Sequence, residues 1–405
     1  MMPFNPRGDG QQSASASSTG SAVACAAYDW IDFTIGSDTG GSTRYPAAVC
    51  GIFGMRPSSS FNCKQSRRHM LTVSSRMDTL GVFARNSKVL RRVSSLIVDA
   101  EYSSSILHHS LKLPREQPRV KILYPVTSSS TDPRTATKLF SHPGTKPHET
   151  PNSVAAAHFE KLVASLETLL QTQRIIFNIA DLWRSTHPPD LDHSIDEAMD
   201  SAYRDNVYYE SARNAVDPFI ADWKHDYRSR HPHSIEQPPK PFIIPIVEAR
   251  HEYGRDVTDA QYHAANHAQE SFSQWAKDVL FRHHVREGEN ALLLLPRTWG
   301  LPDYRFDGIT PEGPVFPWAG FQPINISGFS DCPDVTVPLG EVPYHSKVTD
   351  RREWLPCSVG ILAEPKHDNL LFDLLERLEA EGIVKPQKAG ARMYEQQEPS
   401  ASPRL

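Results

Sequence analysis

The segment from Gly36 to Ala48 constrains this chain more than any other part of the sequence. It reads Gly-Ser-Asp-Thr-Gly-Gly-Ser-Thr-Arg-Tyr-Pro-Ala-Ala, so two consecutive glycines stand directly before Ser42. Glycine accepts tight turns that other residues disfavour, and successive N–H groups in such a turn can point toward one place. The segment therefore predicts a turn that exposes a serine hydroxyl beside backbone donors, as in an oxyanion hole or a phosphate-binding loop.

The phosphate-binding alternative has less support in the sequence. The segment contains neither GxxxxGK[ST] nor GxGxxG, the glycine-rich patterns of nucleotide-binding loops. The GxSxG turn of α/β-hydrolases is also absent around Ser42. A second Ser/Gly segment, from Ser17 to Ser21, lies upstream, and the alternating stretch Ile31–Ile35 between the two is typical of a β-strand. Asp38 and Arg44 are interpreted as residues that hold the turn rather than as a catalytic acid or base.

The remainder of the chain alternates between helical and strand patterns. Apolar residues recur at helical spacing in five stretches, which are Asn86–Ala100, Ala155–Leu170, His193–Arg213, Thr258–Phe281 and Leu370–Leu378. Short buried strands are predicted at Val120–Tyr124, Arg174–Ile179, Ala291–Leu295, Asp334–Leu339 and Cys357–Leu362. Strands separated by helices predict an α/β fold around a mixed or mostly parallel sheet. Residues 127–153 are interpreted as a mobile surface insertion, residues 228–241 as a Pro/His loop, and residues 386–405 as a frayed polar tail.

Composition excludes several classes of function. The 405 residues include 43 Lys and Arg against 48 Asp and Glu, a formal net charge of −5, and contain no long basic block, so nucleic acid is not expected as a partner. No stretch of 18 apolar residues predicts a membrane span, and the first residues lack the apolar core of a secretory signal, so a cytoplasmic location is expected. The cysteines have no CxxC spacing and are expected to be reduced and mostly buried: Cys25, Cys50, Cys63, Cys332 and Cys357.

Neither a metal nor another cofactor is predicted. His263, His267 and Glu270 would share one face of a helix, but the HExxH pattern is absent, and an exposed polar face is the simpler interpretation. Six aromatic residues are interpreted as core residues, with the lining of a substrate pocket as the alternative: Tyr203, Tyr208, Tyr209, Trp223, Trp275 and Trp318.

The Gly36–Ala48 segment resembles the amidase signature family, whose hallmark is a Gly-Gly-Ser-Ser-Gly-Gly-Ser stretch followed by Gly-Ser-Asp-Thr-Gly-Gly-Ser-Ile-Arg-x-Pro-Ala. The similarity continues through Cys50–Ser58 and Met77–Arg85, and late in the chain through Asn325–Gly328 and Val335–Gly340. It runs from about Pro6 to Ile383, and the long middle section is most similar to fungal members.

The resemblance implies an amidase-signature-type α/β/α layered fold around a mixed sheet, with one domain over residues 1–385. It implies hydrolysis of a small-molecule amide through a Ser–cis-Ser–Lys mechanism and an acyl-enzyme, with Ser42 as the nucleophile. Ser17 matches the bridging serine by motif register, and Ser18 is the alternative. The implied oxyanion hole consists of the backbone N–H groups of Thr39, Gly40, Gly41 and Ser42.

The sequence departs from the family pattern in three ways. Thr19 replaces a glycine, Thr43 replaces an aliphatic residue, and no lysine occurs among the sixteen residues before Ser17, where the family places its base. Lys64 and Lys88 are interpreted as surface lysines. The expectation is therefore an amidase truncated at its N-terminus and lacking the N-terminal elements. The alternative is a catalytically inactive remnant that acts as a binding protein.

Overall fold

A computed structural model describes residues 3–59, 70–98, 119–126, 153–233, 236–307 and 321–395. The strands are β1 (Phe33–Asp38), β2 (Phe53–Arg56), β3 (Thr79–Ala84), β4 (Val120–Val126), β5 (Arg174–Asn178), β6 (Asn290–Trp299), β7 (Asp334–His345) and β8 (Arg352–Ala363). The α-helices are α1 (Thr19–Ala27), α2 (Arg44–Cys50), α3 (Ser87–Ile97), α4 (Ser153–Leu170), α5 (Ile179–Thr186), α6 (Ile195–Ser211), α7 (Asp217–Arg230), α8 (Pro245–Asp256), α9 (Asp259–Trp275), α10 (Asn325–Ser330) and α11 (Asp368–Ala380). Short π-helical turns follow α6 and α9, at Ala212–Val216 and Ala276–Leu280.

The eight strands form one mixed sheet in the order β1-β3-β2-β7-β8-β6-β4-β5. Strand β4 runs parallel to both β5 and β6, and the other neighbouring pairs are antiparallel. The long antiparallel pair β7 and β8 occupies the middle of the sheet. Strand β1, which leads into the glycine turn, lies at one edge. This arrangement confirms the predicted α/β fold with a mixed sheet.

Helices cover both faces of the sheet. Along β6, Leu292 and Leu294 pack with α3, α4 and α11 on one face. The intervening Leu293 and Leu295 pack with α6 and α9 on the other face. Successive side chains of a strand point to opposite faces, so a strand covered on both sides is apolar at every position. The uninterrupted apolar run Ala291–Leu295 follows from this α/β/α layering.

The predicted helices and strands are present with shifted ends, but five helices were not predicted: the short helices α2, α5 and α10 and the longer helices α7 and α8. Helix α7 buries none of its residues, so its sequence carries no apolar stripe. Its last residues, up to Arg230, fall in the stretch that was interpreted as a loop. Helix α8 begins with Pro245, directly after the apolar residues 241–244. A proline in the first turn was the available signal for both helices. The predicted insertion, apart from Ser153, lies outside the described residues.

Residues 386–395 pack against the body of the protein instead of fraying. Met393 is 0% exposed. The buried guanidinium of Arg7 donates hydrogen bonds to the backbone carbonyls of Lys388 (3.0 Å) and Gly390 (2.7 Å). The sequence pattern missed this segment because its polar contacts reach partners far away in the sequence, such as the pair of Arg392 and Glu341 at 2.8 Å. Residues 396–405 lie outside the described part of the chain.

The four described cysteines are unpaired and buried, as expected, while Cys63 lies outside the described residues. Burial raises the pKa of Cys25 to about 11 and the pKa of Cys50 and Cys357 to about 12, so these thiols stay protonated. Within the described ranges, no helix combines the length and the hydropathy that crossing a bilayer requires.

Candidate active site

A five-residue turn, residues 39–43, joins the end of β1 to the start of α2. Gly41 lies at its centre with φ +119°, a backbone conformation that side chains with a Cβ rarely adopt. A Cβ at this position would also come within 2.8 Å of the Ile324 side chain. Glycine is therefore required here for both conformation and space, as the sequence predicted.

The completely buried carboxylate of Asp38 holds this turn in place. Its Oδ1 accepts a hydrogen bond from the Gly41 N–H (3.0 Å), and its Oδ2 accepts one from the Thr43 N–H (2.9 Å). Two backbone donors that a turn leaves without ladder partners are thereby satisfied. The same carboxylate pairs with the guanidinium of Arg44, at 2.8 Å between Oδ1 and Nη2.

The pair is part of a larger buried network of charges. Arg56 Nη1 lies 3.2 Å from Asp38 Oδ1, and Arg44 Nη1 lies 2.7 Å from Asp334 Oδ2, which also pairs with Arg297. Burial alone would raise the pKa of Asp38, but the positive charges of Arg44 and Arg56 and the hydrogen bonds hold that pKa well below its usual range. Asp38 is thus a permanent anion. Its role is to hold the turn, which agrees with the interpretation from sequence.

Gly41 must be removed from the predicted oxyanion hole, because its N–H is already bonded to Asp38. The N–H groups of Thr39, Gly40 and Ser42 make no hydrogen bonds with the part of the chain that the structure describes. The Thr39 side chain is fixed separately, since its hydroxyl donates to the buried carboxylate of Asp78 at 2.5 Å. Three of the four predicted donors therefore remain available to a ligand.

The three candidate serines differ in their surroundings. Ser42 is half-buried, and its hydroxyl makes no hydrogen bond with a described residue. The Ser18 hydroxyl is fully engaged, because it donates to the Ser37 carbonyl (3.0 Å) and accepts from the Ser37 N–H (3.2 Å). Ser17 is exposed and makes no such bond to the described residues. Those residues also contain no cis peptide bond, so the cis serine that the resemblance implied is not seen there.

Tyr203 lies at the turn, although its sequence position gave no signal of this. Its hydroxyl occupies the space that a Cβ at Gly40 would fill. Asn325 lies nearby and donates from Nδ2 to the Gly40 carbonyl at 3.4 Å. Both residues are far from the turn in sequence. Tyr203 carries no motif, and only the packing of α6 brings it to the turn. Tyr203 is a buried member of a hydrophobic cluster, which agrees with its interpretation as a core residue.

No lysine is buried among the residues that the structure describes. Lys88 is exposed on α3, as interpreted, and Lys64 is outside the described ranges. The histidine cluster on α9 is also accounted for by separate partners. His267 pairs with Asp190 at 2.6 Å, and Glu270 pairs with Arg76 at 2.7 Å. Within the described ranges, no group of three or more His, Cys, Asp or Glu side chains is arranged to hold a metal ion.

The chain is thus an α/β protein with a layered sheet. At the end of its edge strand β1, a buried network of arginines and carboxylates holds the turn that carries Ser42. Residues 3–169 match the family model described as Amidase. A stretch of 96 residues is 44% identical to Amidase 1 of Oryza sativa subsp. japonica, covering 24% of this chain and 21% of the rice protein. The chain thus spans about a fifth of the length of the curated amidases it matches.

Solved structures match over much more of the chain. The 6-aminohexanoate cyclic dimer hydrolase superposes with a TM-score of 0.58 at 16% identity, covering 95% of this chain and 71% of that protein. The peptide amidase from Stenotrophomonas maltophilia superposes with a TM-score of 0.55 at 16% identity, covering 95% of this chain and 69% of that protein. These similarities show that the amidase-type fold extends beyond residue 169.

Proposed function

We propose that this protein hydrolyses the C–N bond of a small-molecule amide through Ser42. The Ser42 Oγ attacks the carbonyl carbon, and the carbonyl oxygen takes up the electron pair and becomes an oxyanion. When the carbonyl re-forms, the C–N bond breaks and the amine leaves with a proton. Water then attacks the resulting ester, releasing the carboxylic acid and restoring the serine hydroxyl. The overall reaction consumes one amide and one water.

The hydrogen bonds by which Asp38 holds the turn are the observation that carries this proposal. A serine hydroxyl stands beside N–H groups of Thr39, Gly40 and Ser42 that have no described partner, and the Asp38 carboxylate fixes the backbone that presents them. Donors held in place before the reaction stabilise the oxyanion without any cost of reorganisation during it. The amidase-family match of residues 3–169, and two structural relatives named as a hydrolase and an amidase, support an amide as the substrate.

Ser17 is the better candidate for the bridging serine that receives the Ser42 proton. The Ser18 hydroxyl already donates its proton to the Ser37 carbonyl, and a transfer to or from Ser42 would require that bond to break. The Ser17 hydroxyl has no competing bond to the described residues. In the proton relay that the family resemblance implies, the bridging serine passes the proton on to a lysine, which is the final acceptor. None of the described lysines is buried, and none is assigned that role.

A fluorophosphonate probe tests the nucleophile without knowledge of the substrate. The serine oxygen bonds to phosphorus, the P–F bond breaks, and fluoride leaves while the serine proton goes to the base or to solvent. We expect labelling that maps to Ser42 and disappears in Ser42→Ala. Ser37→Ala is the matched control, because Ser37 is exposed in the same segment, and it should label like the wild type. Labelling that is absent, or that is unaffected by Ser42→Ala, would favour the inactive binding protein.

The same assay separates the two upstream serines. Ser17→Ala should slow the labelling of Ser42 and leave the melting temperature unchanged. Ser18→Ala should instead lower the stability by about 1 kcal/mol, because the Ser37 backbone groups lose their hydrogen-bond partner. The reverse pattern would assign the bridging role to Ser18.

A further inference from the structure

The Tyr203 side chain ends at the glycine turn with a hydroxyl that is free to donate. The residue is only 9% exposed, and its hydroxyl makes no hydrogen bond with a described residue. The hydroxyl oxygen is not among the fully buried polar atoms that lack a partner, so it keeps access to the space outside the core. A ligand atom that accepts a hydrogen bond can therefore reach it.

The position of the hydroxyl limits which ligand atom it can reach. Because it fills the space of a Cβ at Gly40, it lies against the Gly40 Cα, one bond from the Gly40 N–H. It therefore adjoins Gly40, whose N–H is one of the donors that the proposed function assigns to the oxyanion. The ring packs against Tyr208 and Phe329, each at a centroid distance of 6.4 Å. These contacts hold the ring at the turn.

The hydroxyl also keeps its proton. Burial raises the pKa of Tyr203 above its usual value, and the nearby Tyr208 and Asp38 raise it further. Near neutral pH the group is consequently a neutral hydrogen-bond donor. An ionised phenolate would repel a developing oxyanion, whereas a neutral phenol stabilises it.

We propose that Tyr203 is a catalytic residue whose hydroxyl donates a hydrogen bond to the carbonyl oxygen of the amide substrate, beside the backbone donors of the turn. This inference rests on the proposed function, since it needs Ser42 to attack that carbonyl. The hydrogen bond becomes stronger as negative charge develops on the oxygen, so Tyr203 favours the tetrahedral state over the bound amide. The competing explanation is that Tyr203 only supports Gly40 by contact.

The rate of labelling by a fluorophosphonate separates these explanations, because the phosphoryl oxygen takes the place of the oxyanion. Tyr203→Phe removes the hydroxyl and keeps the ring. Its second-order rate constant for labelling of Ser42 should fall by about 10²-fold, the usual effect of losing one oxyanion donor, while its melting temperature stays close to that of the wild type. Tyr209→Phe is the matched control, since Tyr209 lies on the same helix and its hydroxyl donates to Asp259 instead, and it should label at the wild-type rate.

Each outcome bears on the proposal. If Ser42 labels equally fast in Tyr203→Phe and the wild type, the proposal for Tyr203 is overturned and the proposed function stands. If the wild type is not labelled at Ser42, both are overturned. Should Tyr203→Phe fail to fold, 3-fluorotyrosine at position 203 keeps the hydroxyl and changes its acidity, and an unchanged labelling rate would then count against the proposal.

The contact itself can be tested without any labelling. Gly40→Ala in the wild type forces the new methyl group into the Tyr203 hydroxyl, whereas Tyr203→Phe leaves the nearest ring atoms at 3.1 and 3.3 Å. Gly40→Ala should therefore lower the free energy of unfolding less in the Tyr203→Phe background than in the wild type. An equal loss in both backgrounds would show that the hydroxyl does not occupy that space, which would overturn the proposal.

Discussion

At the scale of single residues, the site depends most on Asp38. One carboxylate binds the Gly41 and Thr43 N–H groups and the guanidinium of Arg44, and it also neutralises part of the charge of Arg56. Removing one partner from a buried network of charges leaves the others uncompensated, which costs far more than an exposed ion pair contributes. The turn and the stability of the surrounding core are therefore coupled through this side chain.

Asp38→Asn should lower the free energy of unfolding by about 3–5 kcal/mol, the usual cost of breaking a buried ion pair. Urea denaturation with a constant m-value would measure the loss. Asp32→Asn is the control, because Asp32 is exposed shortly before the same strand, and it should change the stability by less than about 0.5 kcal/mol. A loss below about 1 kcal/mol in Asp38→Asn would mean that the network does not hold the turn.

The difference in stability between the wild type and Asp38→Asn should depend on pH. The folded state holds the pKa of Asp38 well below that of the unfolded chain, which is about 3.9. The stabilisation is thus fully present above about pH 5. It is lost progressively as the pH falls below the pKa of the unfolded chain toward the lower pKa of the folded state. Denaturation curves of both proteins between pH 7 and pH 3 should converge as the pH falls. A gap that widens in acid would contradict the direction of this pKa shift.

The residues of the turn were predictable from sequence, but their roles were only partly so. Gly41, Ser42 and the holding role of Asp38 follow from the pattern of glycine, serine and aspartate. The loss of the Gly41 donor does not, because it depends on which way the Asp38 carboxylate points. Tyr203 was out of reach for a different reason, since 163 positions separate it from Gly40 and only tertiary packing joins them.

At the scale of elements, helix α1 covers the outer edge of β1. Ser21 Oγ donates to the Ile35 carbonyl at 2.8 Å, and Ser18 bonds both backbone groups of Ser37. Hydroxyl groups from a helix thus satisfy backbone groups that an edge strand would otherwise expose. The sequence predicted a strand between the two Ser/Gly segments. It did not show that the serines of the first segment would join the two elements.

The packing of α2 on β2 requires glycine at position 54. A Cβ there would overlap the Ala47 side chain and lie 3.3 Å from the Thr43 carbonyl, and neither group is flexible. Gly54→Ala should therefore destabilise the protein by about 1–3 kcal/mol, as overpacked sites do. Gly20→Ala is the control, because Gly20 in α1 has open space around its Cα and should gain up to about 1 kcal/mol. Thermal unfolding of both variants measures the contrast, and a loss in both would contradict it.

At the scale of the whole molecule, the two ends of the described chain meet. Arg7 also donates from Nε to the Cys50 carbonyl (2.8 Å) at the end of α2, so one side chain joins the N-terminal segment, α2 and residues 386–395. The Met393 N–H donates to Glu341 on β7 at 2.7 Å. The alternation of elements in the sequence predicted an α/β fold around a mixed or mostly parallel sheet, and the family resemblance implied its layers. This closure was not predictable, because its partners lie far apart in the sequence, as the Arg7 guanidinium and the Gly390 carbonyl do, and as Arg392 and Glu341 do.

The buried side chain of Met393 should contribute strongly to global stability. Met393→Ala should lower the free energy of unfolding by about 2–5 kcal/mol, because truncation in a closed core leaves a cavity. Leu71→Ala removes a side chain that is 74% exposed and should have little effect. Chemical denaturation of the two variants provides the comparison, and similar values for both would show that the C-terminal segment does not close onto the core.

The crystal structure of the protein after reaction with a fluorophosphonate tests the central claim most directly, because it shows both the nucleophile and the donors. We expect phosphorus bonded to Ser42 Oγ, with the phosphoryl oxygen about 3 Å from the N–H groups of Thr39, Gly40 or Ser42. The Asp38 carboxylate should still hold the Gly41 N–H. Phosphorus on a different residue, or a phosphoryl oxygen on Ser42 that points into solvent away from the turn, would contradict the account.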